Sequence, residues 1–209
     1  GHLGMVEFLL ERDNRLVEPE AVRALALAPI GAGAFGEVFR ATLHGRAVAV
    51  KHIRSGELLR AQRSRAWIRQ RFLLEAALTS KLGAHPRFPA LIGASRTAPG
   101  SDDYWLLLEY AAGGSVFDLV HGARAWVTPP TANAVAAGLV DGMAHLHSRV
   151  PQIIHRDLTS ANVLLTATGD VKITDLGISR FKPAAADCPM TAIGNPRWRA
   201  PEVTRGEPY

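Results

Sequence analysis

Residues 1–13, GHLGMVEFLLERD, place Leu3, Val6, Leu9 and Leu10 at helical spacing before a run of charge, which predicts one amphipathic helix. After Pro29 the period changes. Short β-favouring runs at 37–43 and 46–53, separated by His44-Gly45, predict an antiparallel hairpin. A long helix is then predicted from about Leu58 to Leu82, in which Ile68, Phe72, Glu75, Thr79 and Leu82 recur at offsets 0, 4, 7, 11 and 14. Glu75 therefore shares a stripe with apolar residues, and a carboxylate on a buried face needs a partner. Two more strands are expected at 89–95 and 104–110, the second ending at a flexible joint over 111–114. Beyond it Val135, Leu139, Met143 and Leu146 fall on one face of a helix that ends before Pro151. Sheet in the first half and helix in the second predict the α+β class.

Composition narrows the function classes. With 47% apolar and 21% charged residues the chain can bury a core, and it has no apolar run approaching the ~18 residues of a membrane span. One cysteine, Cys188, rules out a disulfide framework and a cysteine-based metal site, which fits a reducing, cytoplasmic setting. The net charge of +5 is concentrated between Lys51 and Arg71, where seven cations face one acid, so it reads as a solvated helix face rather than a nucleic-acid groove. The chain opens on Gly1 instead of Met, as expected of a fragment.

Three stretches carry chemistry. Gly31, Gly33 and Gly36 form G-x-G-x-x-G, a weak signal alone. A dinucleotide fingerprint would open a helix, whereas here 37–40 continues as strand, so the glycines read as a turn whose backbone N–H groups approach nucleotide phosphates. Lys51 ends the apolar run Val48-Ala49-Val50 and, like Glu75, needs a partner there; the two are expected to pair, the alternative being a snorkelling Lys51 and a hydrated Glu75. The strongest signal is IIHRDLTSAN over 153–162, followed by Asp175-Leu176-Gly177. Asp157 suits the positioning of an attacking hydroxyl, and Asn162 with Asp175 suits the holding of magnesium on phosphates. Each alone could be a turn or cap residue; the set is harder to explain that way.

With these motifs and Ala200-Pro201-Glu202, in family order from about Leu25 to Tyr209, the chain resembles a eukaryotic protein kinase. Phrases such as HRDLTSAN and GNPRWRAPE resemble the tyrosine-kinase-like group of serine/threonine kinases. The resemblance implies a bilobal fold, with residues 21–111 as a sheet-rich N-lobe carrying one long helix and 112–209 as part of a helical C-lobe. Residues 1–20 would be a helix and linker, similar to the end of an ankyrin repeat or a generic helix, with an upstream array as a partner-binding module. It implies ATP and Mg2+ as cofactors, protein substrates with Ser or Thr hydroxyls, no nucleic acid and no membrane span. Lys51 would contact the α- and β-phosphates and pair with Glu75; Asp157 would be the catalytic base; Asn162 and Asp175 would ligate magnesium. Ile30, Gly31, Gly33, Gly36, Val38, Ala49, Leu108, Glu109, Ala111 and Leu164 would complete the nucleotide site, with Leu108 as gatekeeper and 109–111 as hinge. Thr79, Leu91, Leu176 and His155 would form an apolar spine, and all five catalytic and metal residues would meet one triphosphate.

The sequence departs from that pattern. Thr159 and Ala161 stand where kinases carry a cation near the γ-phosphate, Asn195 replaces a hydroxyl residue expected to steady Asp157, Thr79 puts a polar group in the spine, and Leu176 replaces Phe. Seven residues follow Glu202, so the family's basal helices are expected to be missing, exposing apolar faces. Arg156 would pair with a phosphorylated Ser179 or Thr191. Two other classes stay open: a nucleotide-binding pseudokinase scaffold, and a small-molecule phosphotransferase, which the Ala-Pro-Glu segment disfavours.

Overall fold

Strand alternation sets the architecture. In a computed structural model, residues 15–33, 36–56, 64–98, 101, 103–122, 127–181 and 194–207 are described. The amphipathic 1–13 stretch, Arg60, Arg63, Cys188 and Thr191 lie outside them. The chain is α+β and divides into two compact units, 1–84 with 89–110, and 85–88 with 111–209.

The first unit is a five-stranded antiparallel sheet built from β1 (Ala28–Gly33), β2 (Gly36–Leu43), β3 (Arg46–Ile53), β4 (Leu91–Arg96) and β5 (Tyr104–Glu109), in the order β1-β2-β3-β5-β4. His44 and Gly45, both at positive φ, close the β2–β3 hairpin at the expected turn. Directly opposed residues share a face, so the register Val38↔Lys51↔Leu106 and Ala49↔Leu108↔Leu91 puts these six on one side of the sheet. That side packs on the helix α2 (Arg65–Leu82), whose Ile68, Phe72, Leu73 and Ala76 are buried with Ile53, Tyr104, Leu106 and Leu108. Ser64 caps α2 by accepting the Trp67 N–H at 3.2 Å, and the described helix starts there. All five positions of the predicted stripe, Ile68, Phe72, Glu75, Thr79 and Leu82, are buried.

The opposite parity, Ala41, Val48, Val50, Trp105 and Leu107, forms a second core that is closed by Val22. Val22 sits on a short helix, α1 (Pro19–Arg23), that the hydrophobic pattern did not predict. Just before it the chain runs parallel to β4, with the Val17 N–H donating to the Ala94 carbonyl and the Ala94 N–H to that of Arg15. Residues 15–17, read from sequence as linker, are thus stitched to the sheet. A second unpredicted element is β1: the glycine segment is itself a strand, since flanking pairing satisfies its backbone in spite of poor strand propensity.

In the second unit, α3 (Val116–His121) is held by a capping box in which Ser115 and Asp118 exchange hydrogen bonds, and these bonds keep the Asp118 carboxyl below its usual range. The helix α4 (Pro129–His147) starts on a Thr128 cap. Its buried residues are Gly138, Gly142 and Leu146, whereas Val135, Leu139 and Met143 of the predicted face are half-buried. The glycines allow close approach to a hairpin of β7 (Val163–Leu165) and β8 (Val171–Ile173): a Cβ on Gly138 would lie 2.9 Å from the Val171 Cβ. Two-residue strands, β6 (Ile153–Ile154) and β9 (Arg180–Phe181), pair antiparallel, and α5 (Pro201–Thr204) follows the Ala200 turn.

Candidate active site

In the first unit the Lys51 Nζ donates to the Glu75 Oε1 at 2.6 Å, with 12% and 7% of the two side chains exposed. The parity that points Ala49 and Ile53 at α2 points Lys51 there too, and the helical stripe brings Glu75 to meet it. Burial on this scale demands the pairing and removes the snorkelling alternative. Val38 and Ala49 are partly buried beside them, and Leu108 is 8% exposed. Glu109 returns to the sheet through its N–H, which donates to the Ala90 carbonyl, and through its carboxylate, which accepts the Ala90 N–H at 3.1 Å. Gly31 and Ile30 are exposed on β1 and Gly33 pairs with Gly36. At Gly36, φ is +143° and a Cβ would fall 1.8 Å from the His52 carbonyl oxygen, so only glycine fits.

The second unit assembles its polar residues through pairing at two points. In the β7–β8 hairpin Val163 faces Ile173, which brings Asn162 beside Thr174 (Thr174 N–H to Asn162 carbonyl, 3.0 Å) and puts Asp175 next in the chain. The Asn162 Nδ2 donates to the Asp157 main-chain carbonyl at 2.8 Å and to its Oδ2 at 3.2 Å. His155 is 1% exposed. Its Nδ1 accepts the Asp157 N–H at 3.2 Å, so the ring proton is on Nε2 and is donated to the Thr174 carbonyl at 3.0 Å. Burial lowers its pKa and keeps the imidazole neutral. Asp175 adopts the left-handed conformation, φ 64°, at the start of a turn over Leu176–Ile178. Ala111 is buried, and Leu164 is partly buried in β7.

Arg156, also left-handed at φ 68°, donates its Nε to the Ile178 carbonyl at 2.8 Å. Ser179 does not have the exposure expected of a phosphorylation site: it is 3% exposed and its hydroxyl donates to the His155 carbonyl at 3.1 Å. The Asn195 side chain is a cap, its Oδ1 accepting the Arg197 N–H. A pocket of about 230 Å³ lies among Asp157, Arg156, Asn195, Trp198, Arg199 and Glu202. Arg199 and Trp198 went unremarked as site residues in the sequence, where the only signal was a further cation within the 197–199 run.

The donor set at Asn162 and Asp175 fits a hard cation such as magnesium: with Nδ2 committed to Asp157, the amide presents an oxygen, and Asp175 supplies a carboxylate. Among the described residues no cluster of three or more His, Cys, Asp or Glu could hold a metal, and no helix is long and apolar enough to cross a membrane.

The family model of the protein kinase domain matches residues 26–209. A probable serine/threonine-protein kinase of Dictyostelium discoideum is 37% identical over an alignment covering 100% of this chain and 24% of that protein. The serine/threonine-protein kinase CTR1 of Arabidopsis thaliana is 39% identical over 86% of this chain and 21% of its own length. The mouse serine/threonine-protein kinase TNNI3K (Mus musculus) is 33% identical over 83% and 20%. The chain spans about a quarter or less of the length of these relatives. With the family model covering nearly all of the sequence, the chain belongs to the protein kinase domain family.

Proposed function

We propose that this chain is the phosphotransfer domain of a serine/threonine kinase of the tyrosine-kinase-like group, which moves the γ-phosphate of ATP to protein hydroxyls. The observation that carries the reading is the hold of the Asn162 amide on Asp157 at both its main-chain and carboxylate oxygens. It orients one carboxylate oxygen and leaves the other to accept the proton of an attacking hydroxyl. The neutral, buried His155 holds the same loop by accepting the Asp157 N–H. Lys51, kept in place by Glu75, offers a cation to the α- and β-phosphates, while the glycine strands, Val38, Ala49, Leu108, Glu109, Ala111 and Leu164 bind the nucleotide base and ribose. Asn162 and Asp175 would hold magnesium, which when bound neutralises phosphate charge.

The names of the relatives support Ser/Thr specificity. We place the lobes at 21–111 and 112–209, and the parent protein in the cytoplasm. Any ankyrin-type partner module would lie with residues 1–13 or upstream of them.

The test is transfer of labelled phosphate from ATP to a generic basic protein by the parent protein, followed by phosphoamino-acid analysis. Asp157→Asn abolishes transfer while ATP binding survives. Binding without turnover in the unmutated protein would identify a pseudokinase instead.

A further inference from the structure

Residues 15–25 precede the stretch matched by the family model, yet they are built into the first unit. The Val17 N–H donates to the Ala94 carbonyl at 2.9 Å, the Ala94 N–H donates to the Arg15 carbonyl at 2.7 Å, and the Arg15 guanidinium donates to the Leu91 carbonyl. Val22, 0% exposed, then plugs the second core, with Val17 and Leu25 packed at its margin. The segment is a strap laid along β4.

What the strap holds is the main chain of two β4 residues, Leu91 and Ala94, and the side chains of both are buried in the other core, against α2. Register explains the division. Leu91 opposes Leu108 and Ala94 opposes Leu106 on the face that meets α2, whereas Gly93 opposes Leu107 on the face that meets the strap. β4 is the last strand on its side of the sheet, so the strap also closes what would be an open edge at Ala94. Gly93 sets the fit: a Cβ there would lie 2.3 Å from the Val17 Cγ2. The strap thus occupies space that only a glycine leaves.

The helix on the far side of β4 carries Glu75, and Glu75 holds Lys51. From strap to β4 main chain, from β4 side chains to α2, and from Glu75 to Lys51, each link is a hydrogen bond, an ion pair or a packed contact within one unit. We propose that residues 15–25 are a positioning element for the Lys51–Glu75 pair, their docking on β4 setting how well Lys51 meets nucleotide phosphates. This rests on the reading of Lys51 as the cation offered to ATP. Because residues 1–14 lead directly into the strap, a load on that upstream chain reaches the site through it.

The experiment uses the parent protein and two measurements: hydrogen exchange of peptides covering β4 and α2 without nucleotide, and ATP affinity by calorimetry. Gly93→Ala drives a methyl group into Val17 and is expected to undock the strap. Exchange in β4 and over 65–82 should then quicken, and ATP binding should weaken about tenfold, the scale of one charge-assisted hydrogen bond. Adding Val17→Ala removes the methyl that is struck and should restore most of both. Arg15→Met, which releases only the Leu91 carbonyl, should shift both measurements less and in the same direction, and it serves if Gly93→Ala does not fold. Faster exchange in β4 with α2 exchange and ATP affinity unchanged overturns the proposal. So does ATP binding that stays weak in the double variant after β4 protection has returned, since the damage would then lie in β4 itself. ATP affinity that follows the strap, with phosphate transfer absent even from the unmutated protein, would support the strap and remove the phosphotransfer reading. No ATP binding by the unmutated protein removes the nucleotide site and this proposal together.

Discussion

At the scale of residues, a buried histidine and a buried ion pair set how the protein responds to its surroundings. His155 is neutral, with burial as the main cause of its lowered pKa, and opposing pulls from the Thr174 carbonyl, Asp175 and Asp157 too weak to reverse it. The unfolded chain binds a proton near the ordinary 6.5, so below that pH the unfolded state gains protons that the native state refuses. Stability is therefore expected to be level above about pH 7 and to fall steadily below it. Urea titrations across pH 5 to 8 check this, and His155→Tyr, whose hydroxyl can donate to the Thr174 carbonyl, should flatten the curve in part; His52 and His145, also lowered chiefly by burial, contribute in the same direction. Lys51→Met leaves Glu75 buried without its cation, for which a loss of up to about 3 kcal/mol is expected in denaturant unfolding, along with most of the phosphate transfer. Lys51 and Glu75 were legible in sequence because each was a charge on an apolar stripe. Arg199 was not, because a cation in an irregular segment has no periodicity to violate.

At the scale of elements, α4 shows why a hydrophobic pattern locates a helix more surely than it orients one. The apolar face of Val135, Leu139 and Met143 was easy to see, yet the buried seam runs through Gly138 and Gly142, invisible to any scale that scores side chains by size. Gly138→Ala offers the direct test. Alanine favours helix by about 1 kcal/mol, but overpacking against a rigid β-branched Val171 costs about 1 to 3 kcal/mol, so a net loss and a lower Tm in calorimetry are expected. An Ala substitution at exposed Val140 should not destabilise comparably. The short α1 and α3 were missed for a related reason: five or six residues give less than two turns of period, and only the Ser115 to Asp118 spacing could have announced the second.

At the scale of the whole molecule, the chain is shared between two units, and the short 85–88 stretch belongs with residues 111–209 although its neighbours on either side belong to the first unit. It is tied there by Arg87, which donates to Asp141 at 3.0 Å, and by its main-chain carbonyl, which accepts the Ile173 N–H. Nucleotide binding is expected to appear as global stabilisation, since a ligand that binds only folded protein at a hundred times its Kd adds about 2.7 kcal/mol. For a chain of this size that raises Tm by about 5 to 10 °C. Differential scanning fluorimetry of the parent protein should show the shift with ATP and Mg2+. Chelation with EDTA, or Asp175→Ala, should reduce it to that of ATP alone.

The sequence by itself determined the family, the α+β class, the strands of the β2–β3 hairpin, the buried stripe of α2 and the identity of the polar residues, because periodicity and motif spacing are local properties that survive in one dimension. Tertiary structure alone decided that residues 15–17 join the sheet, that glycines form the seam of α4, that Ser179 is interior, and that Arg156 and Arg199, far apart in the chain, line one pocket. Those outcomes depend on which backbones come close, and close approach is fixed by strand register and by absent side chains, neither of which leaves a periodic trace.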